Sequence, residues 1–102
     1  MTAPQNKRNA QLVMDFEQKN TCELAAPTPL FWQCVNARSF LASLAEQMTR
    51  AEDDSRAAVL ERKAKFTVSI IKCANSSAVG PVNCPEPADI ESKTLQDVIE
   101  NK

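Results

Sequence analysis

Residues 31–48, FWQCVNARSFLASLAEQM, decide the fold class, because their apolar positions recur at steps of three and four residues. Spacing of this kind places apolar side chains on one face of an α-helix. The segment therefore predicts a long helix that begins near Phe31. Its apolar stripe consists of Cys34, Ala37, Leu41, Leu44, Ala45 and Met48.

The composition extends the helical prediction to the whole chain. One glycine, Gly80, stands among 102 residues, whereas folds built of β-hairpins need many positions with positive φ. Alanine, glutamate, glutamine, lysine and leucine are plentiful, and all of them favour helices. An apolar share of 43% with 25% charged residues is typical of a globular chain. We expect an all-α fold, a small bundle of three or four helices.

The N-terminal part is predicted to contain a tether, a short helix and a loop. Residues 1–8 are polar and include a proline, so we expect a flexible tether and a single domain over residues 9–102. Leu12, Val13 and Phe16 fall at helical spacing within residues 9–20, which predicts a helix there. Prolines at positions 27 and 29 then predict a connecting loop.

The polar run of residues 50–56 is either a turn or the exposed middle of one long helix. Asp54 or Ser55 would serve as an N-cap, which favours a turn. The β-branched cluster at residues 67–71 is compatible with a strand, but the helical stripe continues through it, so we predict a helix. Its main face is predicted to consist of Val59, Lys63, Phe66, Ile70 and Cys73, with Leu60, Thr67 and Ile71 beside it.

The C-terminal part is predicted to contain a loop and one more helix. Residues 75–87 have the composition of a loop. Asp89 is then expected to cap a last helix. The apolar residues of that helix are Ile90, Leu95, Val98 and Ile99.

Four cysteines, Cys22, Cys34, Cys73 and Cys84, form two pairs along the chain. An even number of cysteines in so short a chain favours disulfides, which staple the bundle. The preferred pairing is Cys22–Cys34 and Cys73–Cys84, and each bond would constrain the unfolded chain by about 3 kcal/mol. Structural zinc sites favour two to four residues between cysteines. Eleven and ten residues intervene here, so no metal site is expected.

No catalytic constellation is apparent in the sequence. The chain has no histidine, the usual base for a serine or cysteine nucleophile. Asp53, Asp54 and Glu61 lie in strongly charged helical surface, and no glycine-rich phosphate loop is present. The net charge of −1 gives no basic face for nucleic acid. We expect no enzyme, no cofactor and no nucleic-acid partner.

The cysteines also bear on the compartment, because disulfides persist in oxidising surroundings. The N-terminus lacks the apolar core of a signal peptide, and no stretch approaches the ~20 apolar residues of a membrane span. Either the cysteines are reduced in a cytosol, or the chain is a mature form without its leader. Our hypothesis is the second, a mature lipoprotein in which Met1 stands where a lipidated cysteine began. The expected location is then the periplasm, with membrane contact only through the lipid anchor.

Phe31 and Trp32 are two adjacent large aromatic residues just before Cys34, in a chain that contains few aromatic residues. Two interpretations stay open. The pair is an exposed anchor for a protein partner, or Trp32 packs over the disulfide and covers the start of the helix.

A longer pattern surrounds these residues. Val13-Met14-Asp15-Phe16 is followed by Cys22, a proline-containing segment and Cys34-Val35-Asn36-Ala37-Arg38. This pattern resembles the EexN-type entry-exclusion lipoproteins of conjugative plasmids. The resemblance implies a periplasmic protein that stops a plasmid-bearing cell from receiving a second copy by acting on a type IV secretion component. On that reading Phe31, Trp32 and Arg38 are the candidate contacts with the partner.

Two other kinds of periplasmic helical binding protein remain as alternatives. A secretion pilotin needs an apolar groove for an amphipathic partner helix. A toxin-immunity protein needs a charged or loop-borne plug. Both are interaction proteins, and neither requires a catalytic residue.

Overall fold

Residues 31–48, whose apolar stripe predicts a helix, lie in the central helix of the molecule. The computed structural model describes residues 3–23, 29–76 and 89–100. Their elements are α1 (Ala3–Lys19), α2 (Pro29–Arg50), α3 (Asp54–Ser76), a 3-10 turn (Ile90–Ser92) and α4 (Leu95–Glu100). α2 packs against α1 on one side and α3 on the other, and α4 packs on α3. The described residues contain no strand, so the all-α prediction is confirmed.

The core is the shared interior of α1, α2 and α3, closed on one side by the C-terminal segment. The predicted stripe of α2 is buried throughout, and Leu41 and Met48 are fully inaccessible. From α1 the core takes Ala10, Val13 and Phe16, whereas Leu12, the third residue of the predicted helical spacing, is only half-buried. None of the described helices is long and apolar enough to span a membrane.

The first helix begins earlier than the sequence predicted. Residues 3–8, expected in a flexible tether, form the first turns of α1. Asn6 is fully buried, and its amide donates to the carbonyl oxygen of Met48. That carbonyl lies in the last turn of α2 and has no partner within its own helix. The tether prediction is therefore wrong over residues 3–8, because it took polarity for exposure; residues 1 and 2 lie outside the described residues.

A turn separates α2 from α3, as the polar composition favoured. α2 ends at Arg50 and α3 begins at Asp54. The cap is Asp53 rather than the predicted Asp54 or Ser55. Its carboxylate accepts the Ser55 N–H at 2.8 Å, and its carbonyl accepts the Ala57 N–H at 2.9 Å. Asp53 thus supplies both the side-chain cap and the first helical hydrogen bond of α3.

α3 is helical through residues 67–71, so the helix prediction was right and the strand alternative was wrong. Its core face differs from the predicted one. The buried apolar residues, with Thr67, are Ala57, Leu60, Ala64, Val68, Ile71 and Ala74, and Lys65 is buried beside them. Val59 is 47% exposed, and Phe66 and Ile70 are only partly buried. The helix carries two adjacent apolar stripes, and the alanine-rich one is buried because small side chains let α2 approach closely.

Polar side chains of α3 hold the C-terminal segment through its backbone. Glu61 accepts the Leu95 N–H at 3.4 Å, and Lys65 donates to the Lys93 carbonyl at 2.8 Å. Lys72 donates to the carbonyls of Val98 and Ile99, both at 2.9 Å. A carboxylate therefore meets the start of α4 and an ammonium meets its end, which complements the helix dipole.

The cap of α4 is Thr94, which was not predicted from the sequence. Thr94 accepts the Asp97 N–H through its hydroxyl at 3.1 Å, and its carbonyl accepts the Val98 N–H at 3.1 Å. Asp89, the predicted cap, precedes the 3-10 turn and makes no side-chain capping bond. The Thr94 hydroxyl is the better acceptor because it sits directly before the first helical residue of α4.

Lys72 gives the molecule a pH-dependent contribution to stability. Burial lowers the pKa of Lys72 below its ordinary value of 10.5, and the nearby charge of Lys93 lowers it further. Between the lowered pKa and 10.5 the unfolded chain binds more protons, so stability rises with pH in that window. Below the window, the cost of burying the charge is fully present.

We therefore expect the wild-type protein to gain stability relative to Lys72→Arg as the pH is raised toward 10.5. Arginine stays charged throughout this range and is the matched control. Urea unfolding of both proteins across a pH series measures the difference in unfolding free energy. A difference that stays constant with pH would contradict the prediction.

Candidate functional site

A disulfide joins the end of α1 to the start of α2. Cys22 and Cys34 are bonded, with their Cα atoms 5.8 Å apart, which confirms the first predicted pairing. Cys34 is fully buried in the first turns of α2, so the bond is anchored in the core. The described part of the chain contains no free cysteine. Cys84, predicted to pair with Cys73, lies outside the described residues.

Asn75 holds the chain segment that carries Cys22. Its amide nitrogen donates to the Thr21 carbonyl at 2.9 Å, and its amide oxygen accepts the Glu23 N–H at 3.2 Å. One side chain near the end of α3 therefore bonds the backbone on both sides of Cys22. The disulfide, α1 and α3 are fixed together at this end of the bundle.

Arg38 faces α1. Its guanidinium donates to the Glu17 carbonyl oxygen at 2.8 Å, and the side chain is half-buried. Asn20 donates in the same way to the Phe16 carbonyl at 2.8 Å. These carbonyls belong to the last turn of α1, where a cation also complements the helix dipole. The structure thus gives Arg38, one of the predicted partner contacts, a role in fixing α1 against α2.

Phe31 and Trp32 lie at the start of α2, next to the disulfide in sequence. Their rings meet edge to face, with centroids 5.3 Å apart and planes at 77°. Phe31 is half-buried, whereas Trp32 is 53% exposed. An aromatic ring held against a second ring has few rotamers to lose on binding, which suits an anchor. Of the three predicted contacts, Trp32 is the one presented to solvent.

The exposed side of α2 continues this surface with uncharged residues. Phe40 is 47% exposed, and it lies eight residues after Trp32, about 12 Å along the helix axis. Asn36, Ser39 and Ser43 are also exposed. We refer to Trp32, Asn36, Ser39, Phe40 and Ser43 as the uncharged α2 face. Phe40 was not among the predicted site residues, although the stretch from Phe31 to Ala45 carries a single charged residue, Arg38, which is a sequence signal for this face.

A shallow groove of about 540 Å³ runs between α1 and α2, on the α1 side of the central helix. Its lining combines apolar and charged residues, and Glu46 and Arg50 pair across one turn at 2.7 Å. The residues that line it are Met14, Glu17, Gln18, Ala42, Ala45, Glu46, Thr49 and Arg50.

Among residues 3–23, 29–76 and 89–100, no three histidine, cysteine or acidic side chains are grouped so that they could hold a metal ion. Asp53 and Glu61, considered above as acidic residues, are occupied in capping α3 and α4. The chain matches no protein-family model, no curated protein and no solved structure.

Proposed function

We propose that this protein is an interaction protein of entry exclusion, which blocks redundant conjugative plasmid transfer by binding a type IV secretion component. The observation that carries the proposal is Trp32, a more than half-exposed tryptophan next to a disulfide-fixed helix start. Tryptophan is enriched among the residues that dominate binding energy at protein interfaces. A tryptophan exposed on a rigid helix favours binding, because few side-chain and backbone conformations are lost when the partner binds.

The residues that carry the family resemblance stabilise the packing of α1 against α2. Val13 and Phe16 are buried in α1, and Cys22 and Cys34 form the disulfide. Ala37 packs in the core, while Arg38 bonds the end of α1. The shared pattern thus describes a framework of two helices and one staple. A family that kept this framework could vary its exposed residues to suit different partners.

In the proposed mechanism, the domain occupies a binding site on a component of the transfer channel. It thereby prevents productive contact with an incoming donor. Catalysis has no part in this mechanism, and neither a cofactor nor nucleic acid is required. The proposed location is the periplasm, with a lipid anchor as the link to the membrane; the Cys22–Cys34 disulfide is compatible with this oxidising compartment.

A second disulfide between Cys73 and Cys84 belongs to the same proposal. Cys73 lies near the end of α3, two residues before Asn75, and the described residues include no free cysteine. The bond would staple the end of α3 to the chain that follows it. Peptide mapping of the unreduced protein by mass spectrometry would identify it, and a free Cys84 thiol would exclude it.

The groove between α1 and α2 favours a pilotin-like alternative. Met14 is 38% exposed there, and alanines at positions 42 and 45 allow close approach of a partner helix. An amphipathic helix laid into such a groove is a common mode of peptide recognition. The groove is shallow and carries charged residues, so we place this function second to entry exclusion.

The test of the proposed function is mating efficiency into recipients with and without the full-length gene, using a donor that carries the source plasmid. We expect the gene to lower transfer by about ten-fold or more, which corresponds to about 1.4 kcal/mol if the block is an equilibrium. Transfer of an unrelated conjugative plasmid serves as the control. Equal transfer into both recipients would contradict entry exclusion and favour the groove-binding alternative.

A further inference from the structure

The exposed side of α2 has the composition of an interface. Exposed faces of surface helices usually carry charged residues. Over residues 31–45 the charged residue is Arg38, which is half-buried and bonded to α1. The exposed side chains of this stretch form the uncharged α2 face, apart from Ala42, which lines the α1–α2 groove. Depletion of charge together with aromatic residues distinguishes the centre of protein interfaces from ordinary surface.

A hydrogen bond between α2 and α3 indicates which residues of α3 lie beside the uncharged α2 face. Gln47 accepts from the guanidinium of Arg56 at 3.0 Å, on the outer side of the seam between the two antiparallel helices. Seven residues make almost two helical turns. Phe40 on α2 and Lys63 on α3 therefore lie on the same side of the seam, about 10 Å further from the α2–α3 turn. Both are exposed.

The apolar surface continues from α2 onto α3. Val59 is 47% exposed and lies between Arg56 and Lys63, four residues before the latter. Phe66 and Ile70, which follow at helical spacing, are partly buried against the core. The second apolar stripe of α3, predicted from the sequence as a core face, thus borders the uncharged α2 face.

We infer that the uncharged α2 face, together with Val59 and Lys63, binds a protein partner that offers an apolar patch to Trp32 and Phe40 and a carboxylate to Lys63. The inference rests on the proposed function and specifies the partner's chemistry. Lys63 and Arg56 make the α3 border of the surface basic, while the carboxylates of Asp53 and Asp54 lie beyond Arg56 at the turn. Electrostatic complementarity therefore requires an acidic border on the partner.

The same charges argue against a second copy of this chain as the occupant. A symmetric contact places the same patch of both copies face to face. The uncharged α2 face and its α3 border, Arg56, Val59 and Lys63, contain no carboxylate, so the Lys63 side chain of one copy would meet no acidic group on the other. A different protein that supplies the opposite charge therefore fits the surface better.

The mating assay tests the inference with variants of the full-length gene. Trp32→Ala/Phe40→Ala removes the two aromatic anchors, and Lys63→Glu reverses the charge beside them. The controls are Met14→Ala, an exposed apolar residue in the α1–α2 groove, and Lys7→Glu, an exposed lysine on α1. We expect the first two variants to lose exclusion by about ten-fold or more. Both controls are expected to exclude like the wild type.

Circular dichroism and thermal unfolding establish that each variant is folded. Wild-type exclusion that survives both test substitutions would overturn this surface while leaving the proposed function in place. If the Met14→Ala variant loses exclusion instead, the binding site is the α1–α2 groove. Failure of the wild-type gene to exclude would overturn the function itself. Sedimentation adds a further test, because a dimer abolished by Trp32→Ala/Phe40→Ala would show that a second copy occupies the surface.

Discussion

Replacing Leu41 with alanine is expected to lower the free energy of unfolding by about 2–5 kcal/mol. Leu41 is fully inaccessible and lies midway along α2, which packs against both α1 and α3. Truncation removes its apolar contacts and leaves a cavity that close-packed neighbours on both sides cannot readily fill. Since a domain of this size is stabilised by only about 5–15 kcal/mol, the loss is a large part of the total.

The adjacent residue supplies the matched control. Phe40→Ala removes a larger side chain, but Phe40 is 47% exposed, so we expect a loss below about 1 kcal/mol. Urea unfolding followed by far-UV circular dichroism gives both values. Equal losses for the two variants would mean that Phe40 is buried in solution, against the surface inferred above.

Removal of the Cys22–Cys34 disulfide is expected to lower the unfolding free energy by about 3 kcal/mol. The bond spans a sequence separation of 12, and opening it releases the unfolded chain from a loop of that length. Alanine is the suitable replacement at both positions, because Cys34 is fully buried and serine would place a hydroxyl in the core. The variant is Cys22→Ala/Cys34→Ala, compared with the wild-type protein by urea unfolding.

Although it is less stable, the Cys22→Ala/Cys34→Ala variant is expected to fold to the native structure. Asn75 still bonds the backbone at Thr21 and Glu23, and Arg38 still bonds the end of α1. We therefore expect native helix content in the absence of denaturant, with a shifted midpoint. Helix content that falls before any denaturant is added would show instead that the disulfide is needed to form the native contacts.

The sequence predicted those parts of the fold that depend on local pattern. The stripe of α2 has a single apolar face, so periodicity alone assigns its core residues. The preferred pairing joined cysteines that are neighbours along the chain, and for Cys22 and Cys34 it is confirmed. The α2–α3 turn follows from a run of polar residues, although the predicted caps, Asp54 and Ser55, lie one and two residues after the actual cap, Asp53.

Other features depend on contacts between distant segments and could not be read in this way. α3 has apolar stripes through Val59 and through Leu60, and the choice between them depends on where α2 packs. Asn6 and Arg38 act on backbone carbonyls of other helices, and a carbonyl acceptor leaves no trace in the sequence. Polar residues at the N-terminus predict an exposed tether, because the sequence does not show that the Asn6 amide has a buried carbonyl partner on α2.

The attachment of the C-terminal segment has a consequence for how this protein can change over time. Glu61, Lys65 and Lys72 bond main-chain N–H and carbonyl groups, which every residue except proline provides in the same form. Substitutions at exposed positions such as Gln96 leave these bonds intact, provided that the buried Leu95 and Val98 are kept. The solvent-facing side of α4 can therefore diverge freely, while the three residues of α3 that bond its backbone remain under constraint.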